Sequence, residues 1–316
     1  MPTRVGNRRL RAGLRAGAAL PACLLLLALA LPSPARAVDP ELAGAVSLLL
    51  PGAGQAANGN LVEGGVHLGL SLVLSNQYLQ RIDHPDYLPP AEREDEVNHT
   101  IRINRATVAA DLYGTAALDL SFYSSFGAYR DARLQPGRQQ DYATPPPRES
   151  LTDLALSPYR WEFLSRPTAW VPLLVPLYLA LSPARSPQLI FAPDDSISRN
   201  ELRSAFYVTH AMVAVGEEAF FRGFLNNGLS DRLGEGWGLA ASSALFGLAH
   251  EGNAAQANAL GAAIFGAYLG WLQQRNGYAI GEGVAIHFWW NFLTSLALVK
   301  TRAEGAVQLV SLNLRF

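Results

Sequence analysis

Long apolar runs separated by short polar stretches dominate the pattern of this chain. Many of the runs are long enough for helices buried in a membrane, where every backbone group must be hydrogen-bonded within its own segment. We predict apolar helices at 42–50, 62–79, 107–129, 170–181, 202–225, 237–250, 257–272 and 280–299. The pattern therefore favours an all-α fold, a polytopic helical bundle in a membrane.

Prolines and glycines divide this predicted bundle. The segment 51–60 (Pro-Gly-Ala-Gly-Gln-Ala-Ala-Asn-Gly-Asn) is dense in turn formers and joins the first two helices into a hairpin. Pro172 and Pro176 should kink the 170–181 helix, and 157–165 should form a short helix. The polar stretches 85–99 and 186–200 read as aqueous loops. The proline-rich stretch 136–156 reads as a linker.

The first 37 residues have the features of a secretory signal peptide. Five arginines precede an apolar run at 17–31, and Ala35-Arg36-Ala37 is a small-x-small cleavage site. Cys23 is the only cysteine and lies within this segment. The rest of the chain therefore has no thiol for a disulfide, for nucleophilic catalysis or for a cysteine zinc site.

The composition agrees with a membrane protein and argues against a nucleic-acid-binding one. Hydrophobic residues make up 49% of the chain and charged residues 16%, below the roughly 25% of a soluble domain. The mean hydropathy is +0.10. The net charge of −1 offers no basic surface for a phosphate backbone, so we expect no nucleic-acid partner.

Three clusters place polar groups inside the apolar helices of the last third of the chain. They read Glu217-Glu218-x-x-x-Arg222, Phe246-x-x-x-His250 and His287-x-x-x-Asn291. An ionisable group in a membrane costs about 2.5–3.5 kcal/mol on insertion scales unless it is paired or lines a wet cavity. The clusters are therefore predicted to meet in one polar site.

Helix geometry suggests different roles for the two glutamates. Glu218 and Arg222 are four residues apart with Glu first, so they should form an ion pair, which can equally serve packing. Glu217 points about 100° away and has no partner on its own helix. Burial should raise its pKa towards neutrality, as a general base for water requires.

The two histidine clusters complete the predicted chemistry. His287 and Asn291 are four residues apart and could donate to one oxygen, as an oxyanion hole requires. His250 closes an apolar helix one turn after Phe246, whereas His210 and His67 are predicted to be structural. Asp111 and Asp119 share a helix face and could form a second polar site. A face against water or the bundle interior is the simpler interpretation.

The clusters resemble the CPBP family, which comprises CAAX-type prenyl endopeptidases and bacterial relatives linked to bacteriocin processing and immunity. The family pattern is E-E-x-x-x-R, F-x-x-x-H and H-x-x-x-N on successive helices. The chain reads EEAFFR at 217–222, FGLAH at 246–250 and HFWWN at 287–291, without departure. The similarity covers roughly residues 167–299 and neither the signal segment nor the first helices.

The resemblance implies an intramembrane endopeptidase of the glutamic type, with no cofactor and no metal ion. Glu217 and His250 would activate the attacking water, and His287 and Asn291 would stabilise the oxyanion. Glu218, Arg222 and Phe246 would support the site. Because prenylation is cytosolic whereas the chain begins with a signal segment, the implied substrate is a non-prenylated membrane protein or lipophilic peptide.

Two alternatives remain at this point. Two histidines and two glutamates could instead bind Zn²⁺ and make a metalloprotease, although the H-E-x-x-H motif is absent. The protein could also be a non-catalytic membrane scaffold or an immunity factor of the bacteriocin type, for which the N-terminal hairpin is the motivation.

These inferences give one predicted organisation. The segments are a signal peptide (1–37), a membrane-associated helical extension (38–135), a linker (136–156), an intramembrane protease domain (157–302) and a tail (303–316). We expect a multi-pass integral membrane protein of the bacterial cell envelope, in the inner membrane, with the lipid bilayer and its substrate as partners.

Overall fold

The computed structural model describes residues 38–95, 100–138, 141–181, 190–251 and 259–299. The predicted signal peptide and the predicted tail lie outside the described residues. Helices account for most of the described residues, which confirms the all-α class at the level of overall content.

Helices follow one another along the described chain with short connections. They are α1 (Pro40–Leu49), α2 (Ala53–Ala57), α3 (Leu61–Ile82), α4 (Pro90–Arg93), α5 (Arg105–Arg133), α6 (Leu151–Leu156), a 3₁₀ turn (Ser157–Tyr159), α7 (Trp161–Leu164), α8 (Pro167–Leu181), α9 (Arg199–Glu217), a π-helical segment (Glu218–Asn226), α10 (Asn227–Leu233), α11 (Glu235–Ala249), α12 (Ala259–Arg275) and α13 (Gly281–Leu298).

A small sheet is the feature that the apolar pattern did not predict. Strands β1 (Glu94–Asp95) and β2 (Thr100–Ile103) are antiparallel, and β2 pairs in parallel with β3 (Ile190–Pro193). These strands fall in or beside the two predicted aqueous loops. Apolar side chains of β2 join a buried cluster with α9, so the sheet is packed onto the bundle.

The helices were predicted to cross a membrane. Within the described ranges, none of them combines the length and the apolarity that a membrane crossing requires.

The Pro-Gly-x-Gly-Gln segment is a tight, buried turn, as predicted, but the two helices that it joins make their main contacts with α5. Gly52 has φ +93°, and a Cβ there would lie 2.0 Å from the carbonyl oxygen of Gly64. Gln55 Nε2 donates to the carbonyl of Ser124 at 2.8 Å, and the Ser124 hydroxyl lies 3.0 Å from His67 Nδ1. The motif and His67 therefore anchor the hairpin to α5.

Helix α5 runs parallel to the continuous helical path of α9, the π segment and α10. Five successive contacts, three or four residues apart, define this register. They pair Asp119 with Gly216, Phe122 with Phe220, Phe126 with Gly223, Tyr129 with Asn227, and Arg133 with Asp231. Such spacing is that of helices packed side by side at a shallow angle. The extension thus lies against the helix that carries the two glutamates.

The two glycines in this register allow the close approach of α5. A Cβ at Gly216 would lie 2.6 Å from Asp119 Cβ and 2.9 Å from its Cα, so the helices would have to separate. We expect Gly216→Ala to lower the free energy of unfolding by about 1–3 kcal/mol, as overpacking does. Denaturant unfolding measures this loss.

Gly69 provides the matched control because a Cβ there would meet nothing within 4 Å. Gly69→Ala in α3 should be neutral or stabilising by up to about 1 kcal/mol, since Ala is the better helix former. Equal destabilisation by both variants would contradict the packed register.

The stretch predicted as a linker is anchored at two points. Thr144 donates its amide to Asp231 Oδ1 at 2.7 Å, and the Arg133 guanidinium donates to the Thr144 carbonyl. The Glu149 carboxylate accepts from the amides of Ile280 and Gly281 at 2.9 and 2.7 Å, where α13 begins. Glu149 thereby caps α13 and fixes its position. The division of the chain into domains remains a prediction.

Candidate active site

The glutamate pair lies where α9 changes into a π-helix. A capping box, in which Ser198 and Glu201 bond reciprocally, begins α9. Glu217 is its last residue, and Glu218 is the first residue of the nine-residue π segment. The sequence predicted one regular helix here. Wider π turns change the angle between successive side chains and frequently occur at functional sites.

Glu218 is the centre of a buried ion-pair group. Its Oε1 lies 3.1 Å from Arg222 Nη1 and accepts a hydrogen bond of 2.8 Å from His287 Nδ1. All three side chains are at most 3% exposed. The predicted Glu218–Arg222 pair is therefore present, and it connects the π segment to α13.

Glu217 lies between the two histidines. Its Oε2 is 3.8 Å from His250 Nε2 and 3.8 Å from His287 Nε2. These distances are too long for direct hydrogen bonds, and Oε2 has no hydrogen-bond partner among the described residues. The imidazole of His287 is consequently bracketed by both glutamates, one at each nitrogen.

Hydrogen bonding assigns the tautomers of the two histidines. His250 Nδ1 lies 2.8 Å from the carbonyl of Phe246, so Nδ1 carries the proton and Nε2 presents a lone pair to Glu217. His287 Nδ1 donates to Glu218, so neutral His287 likewise presents a lone pair at Nε2. Three acceptor atoms therefore converge on one point, and only a proton donor between them relieves their repulsion.

Burial determines the protonation of this group. It raises the pKa of Glu217 to about 7, the nearby His287 lowers that pKa, and the neighbouring Asp119 and Glu218 raise it further. Burial also lowers the pKa of His250, so this histidine is neutral near pH 7. Glu217 is thus poised to exchange a proton at neutral pH.

Phe246 explains the first position of the F-x-x-x-H motif. Its ring lies 4.2 Å below the guanidinium carbon of Arg222 and 4.4 Å from the ring of His250. The cation–π contact adds to the ion pair of Arg222. Gly266 on α12 allows this arrangement because a Cβ there would be 3.1 Å from both Phe246 and Arg222.

Asn291 does not join the hydrogen bonds of His287, with which it was predicted to form an oxyanion hole. It is half-buried on α13, one turn after His287. Within the described part of the chain, it forms no hydrogen bond to His287 or Glu217. The aromatic residues around it pack against other elements: Trp289 donates to the carbonyl of Pro158 at 2.8 Å, and Trp290 stacks at 5.2 Å on Phe265.

The remaining candidate polar residues, Asp111, Asp119 and His210, each have different surroundings. Asp111 forms a partly exposed ion pair with Arg93 at 2.7 Å. Asp119 is 6% exposed and packs on Gly216, beside Glu217, so the two aspartates of one helix face do not share a site. His210 hydrogen-bonds Ser295 at 2.7 Å, in agreement with a structural role. Sequence reasoning named Asp119 without connecting it to the glutamates.

The described residues contain no group of three or more His, Cys, Asp or Glu side chains arranged to hold a metal ion.

Comparison with known proteins finds a family model similar to the part of the chain that carries the site. Residues 200–293 match the family model described as Rce1-like: Type II CAAX prenyl endopeptidase Rce1-like. Over these residues the chain is similar to the CAAX-type prenyl endopeptidases. The match covers less than a third of the chain and includes all three motifs, in agreement with the predicted resemblance. No curated protein and no solved structure matches the chain.

Proposed function

We propose that the protein is an endopeptidase that hydrolyses a peptide bond of a membrane-associated protein or peptide, with Glu217 as the general base. The observation that carries this proposal is the convergence of Glu217 Oε2, His250 Nε2 and His287 Nε2 at 3.8 Å. Water has two O–H donors and fits between acceptors at this separation. The family, which is one of proteases, supports the same chemistry.

The proposed reaction follows from these protonation states. Glu217 takes a proton from water held by His250, and the water oxygen attacks the carbonyl carbon to give a tetrahedral oxyanion. Protonated Glu217 then gives its proton to the leaving nitrogen as the C–N bond breaks, which yields a carboxyl group and an amine. General-base catalysis of this kind contributes about 10²–10⁴ in rate.

His287 and Asn291 are proposed to stabilise the oxyanion. Because His287 Nδ1 already donates to Glu218, its Nε2 donates to the oxyanion only when this second nitrogen also carries a proton. The side-chain amide of Asn291, which has no hydrogen-bond partner among the described residues, would supply a second donor when a substrate carbonyl enters. Arg222 pairs with Glu218 and is proposed to hold it in place, and the ring of Phe246 supports Arg222.

Association with lipid is part of the same proposal. Large apolar side chains are exposed along α3 and α8, among them Leu61, Val62, Leu70, Val73, Val171, Leu174, Val175 and Leu181. Exposed apolar surface of this extent marks contact with a membrane or a lipophilic partner. We extend the proposal to the bacterial cell envelope as location and a non-prenylated substrate, on the basis of the predicted signal segment and the resemblance to bacterial relatives.

Quantitative analysis of protein termini tests this function. Membranes from cells with the wild type, a deletion, Glu217→Gln or Glu162→Gln are compared at matched expression. Glu162 is an exposed glutamate on α7 that pairs with Arg160 and with none of the histidines of the site, so it serves as the control. We expect new termini with the wild type and Glu162→Gln that the deletion and Glu217→Gln lack. Identical termini in all four samples would refute proteolysis and favour a scaffold.

A further inference from the structure

Asp119 is a buried acid in contact with the helix of the proposed general base. It extends from α5 onto Gly216, the residue before Glu217, and is 6% exposed. Its Oδ2 is buried and has no hydrogen-bond partner among the described residues. Burial of an ionised carboxylate without a partner costs free energy, so Asp119 is expected in its neutral form.

The charged groups on the neighbouring helix α3 lie above and below Asp119. Arg81 and Tyr78 contact the Tyr113–Gly114 level of α5. Glu63 and His67 lie at the Ser124–Gly127 level. Neither set approaches the middle of α5, where Asp119 faces α9.

On the α9 side, Asp119 packs on Gly216, and a negative charge there raises the pKa of Glu217. The titratable or charged groups around Glu217 from the other elements are Glu218 and Arg222 of the π segment, His250 after α11 and His287 of α13. Asp119 is therefore a group of the N-terminal extension whose charge bears on Glu217.

We propose that Asp119 is a positioning residue of this site, which acts through Glu217: its neutral form permits the ionisation of Glu217, and its charged form opposes the reaction. The inference rests on the proposed role of Glu217 as general base. It extends the catalytic unit beyond the residues that match the family, to a helix of the N-terminal extension.

The expected pH dependence follows from the two carboxyl groups. Glu217 must be ionised to act as a base, so activity should rise with pH around its pKa of about 7. Burial raises the pKa of Asp119 to about 8. Above that value a second negative charge lies against the end of α9 that carries Glu217 and opposes the oxyanion, so activity should fall again.

The decisive experiment is the pH profile of kcat/KM for the wild type and Asp119→Asn, on the substrate that the analysis of termini identifies. Between pH 7.5 and 9.5 the wild type should lose activity on the order of tenfold, because most of Asp119 ionises across this interval. Asp119→Asn cannot ionise and should lose this decline. Asp111→Asn, on the same helix, should keep the wild-type profile because Asp111 pairs with Arg93.

A spectroscopic measurement tests Asp119 without relying on activity. The wild-type minus Asp119→Asn infrared difference should contain a carboxylic-acid band at pH 6.5 that disappears with a midpoint of about 8. The band of Glu217, with a midpoint near 7, should occur in both proteins. Should Asp119→Asn fold poorly, Asp119→Ser removes the same titrating group.

The outcomes separate the two proposals. An unchanged alkaline decline in Asp119→Asn, or no carboxylic-acid band assigned to Asp119, overturns the role of Asp119 and leaves Glu217 as general base. Cleavage by Glu217→Gln at the wild-type rate overturns the proposed function instead.

Discussion

Purified Glu217→Gln is expected to lose about 10²–10⁴ of the proteolytic rate while it unfolds at nearly the same temperature as the wild type. Gln has the shape of Glu but cannot accept a proton from water. Stability should change little because the Oε2 atom of Glu217 is buried without a hydrogen-bond partner among the described residues, and the substitution removes this unpaired charge. Initial rates and thermal unfolding of the same preparations measure both quantities.

The pH profile makes this prediction specific. The wild-type rate should rise with a midpoint near pH 7, where Glu217 loses its proton, and any residual rate of Glu217→Gln should lack this rise. Glu162→Gln controls for loss of negative charge at an exposed position. A Glu217→Gln enzyme with the wild-type rate would exclude Glu217 as the base, and a large loss of stability would mean that the residue serves packing.

Arg222→Met is expected to lower the free energy of unfolding by about 3–5 kcal/mol, the cost of breaking a buried ion pair from one side. The side chain is 3% exposed and lies 3.1 Å from Glu218, which is fully buried. Removal of the guanidinium leaves the Glu218 carboxylate with only its bond to His287, and it also removes the contact with the ring of Phe246. Denaturant unfolding measures the loss.

Arg105 provides the surface comparison. It pairs with Glu201 at 2.7 Å, but the two side chains are 64% and 48% exposed. Arg105→Met should therefore cost at most about 1 kcal/mol. The double variant Glu218→Gln/Arg222→Met should lose less than the sum of its single variants, because neither charge is then left unpaired. Similar losses for Arg222→Met and Arg105→Met would refute the stabilising role of the buried pair.

Local patterns predicted most of the helices. The turn formers of 51–60 and the apolar runs act within a few residues, so they can be recognised in the sequence. The Glu218–Arg222 pair was predicted for the same reason, since four-residue spacing on a helix brings the side chains together. The change to a π-helix at Glu218 and the short sheet between distant loops depend on contacts that no local pattern contains.

The sequence by itself determined the helical character of this protein, its three motifs and their resemblance to a protease family, because these depend on residue types at fixed short spacings. Tertiary structure decided how the motifs meet: His287 lies between two glutamates, and Asn291 is half-buried without a hydrogen bond to them. It also brought Asp119, about one hundred residues earlier, to Gly216. Such distances between residues far apart in the chain arise from packing, and only the folded arrangement of α5, α9 and α13 fixes them.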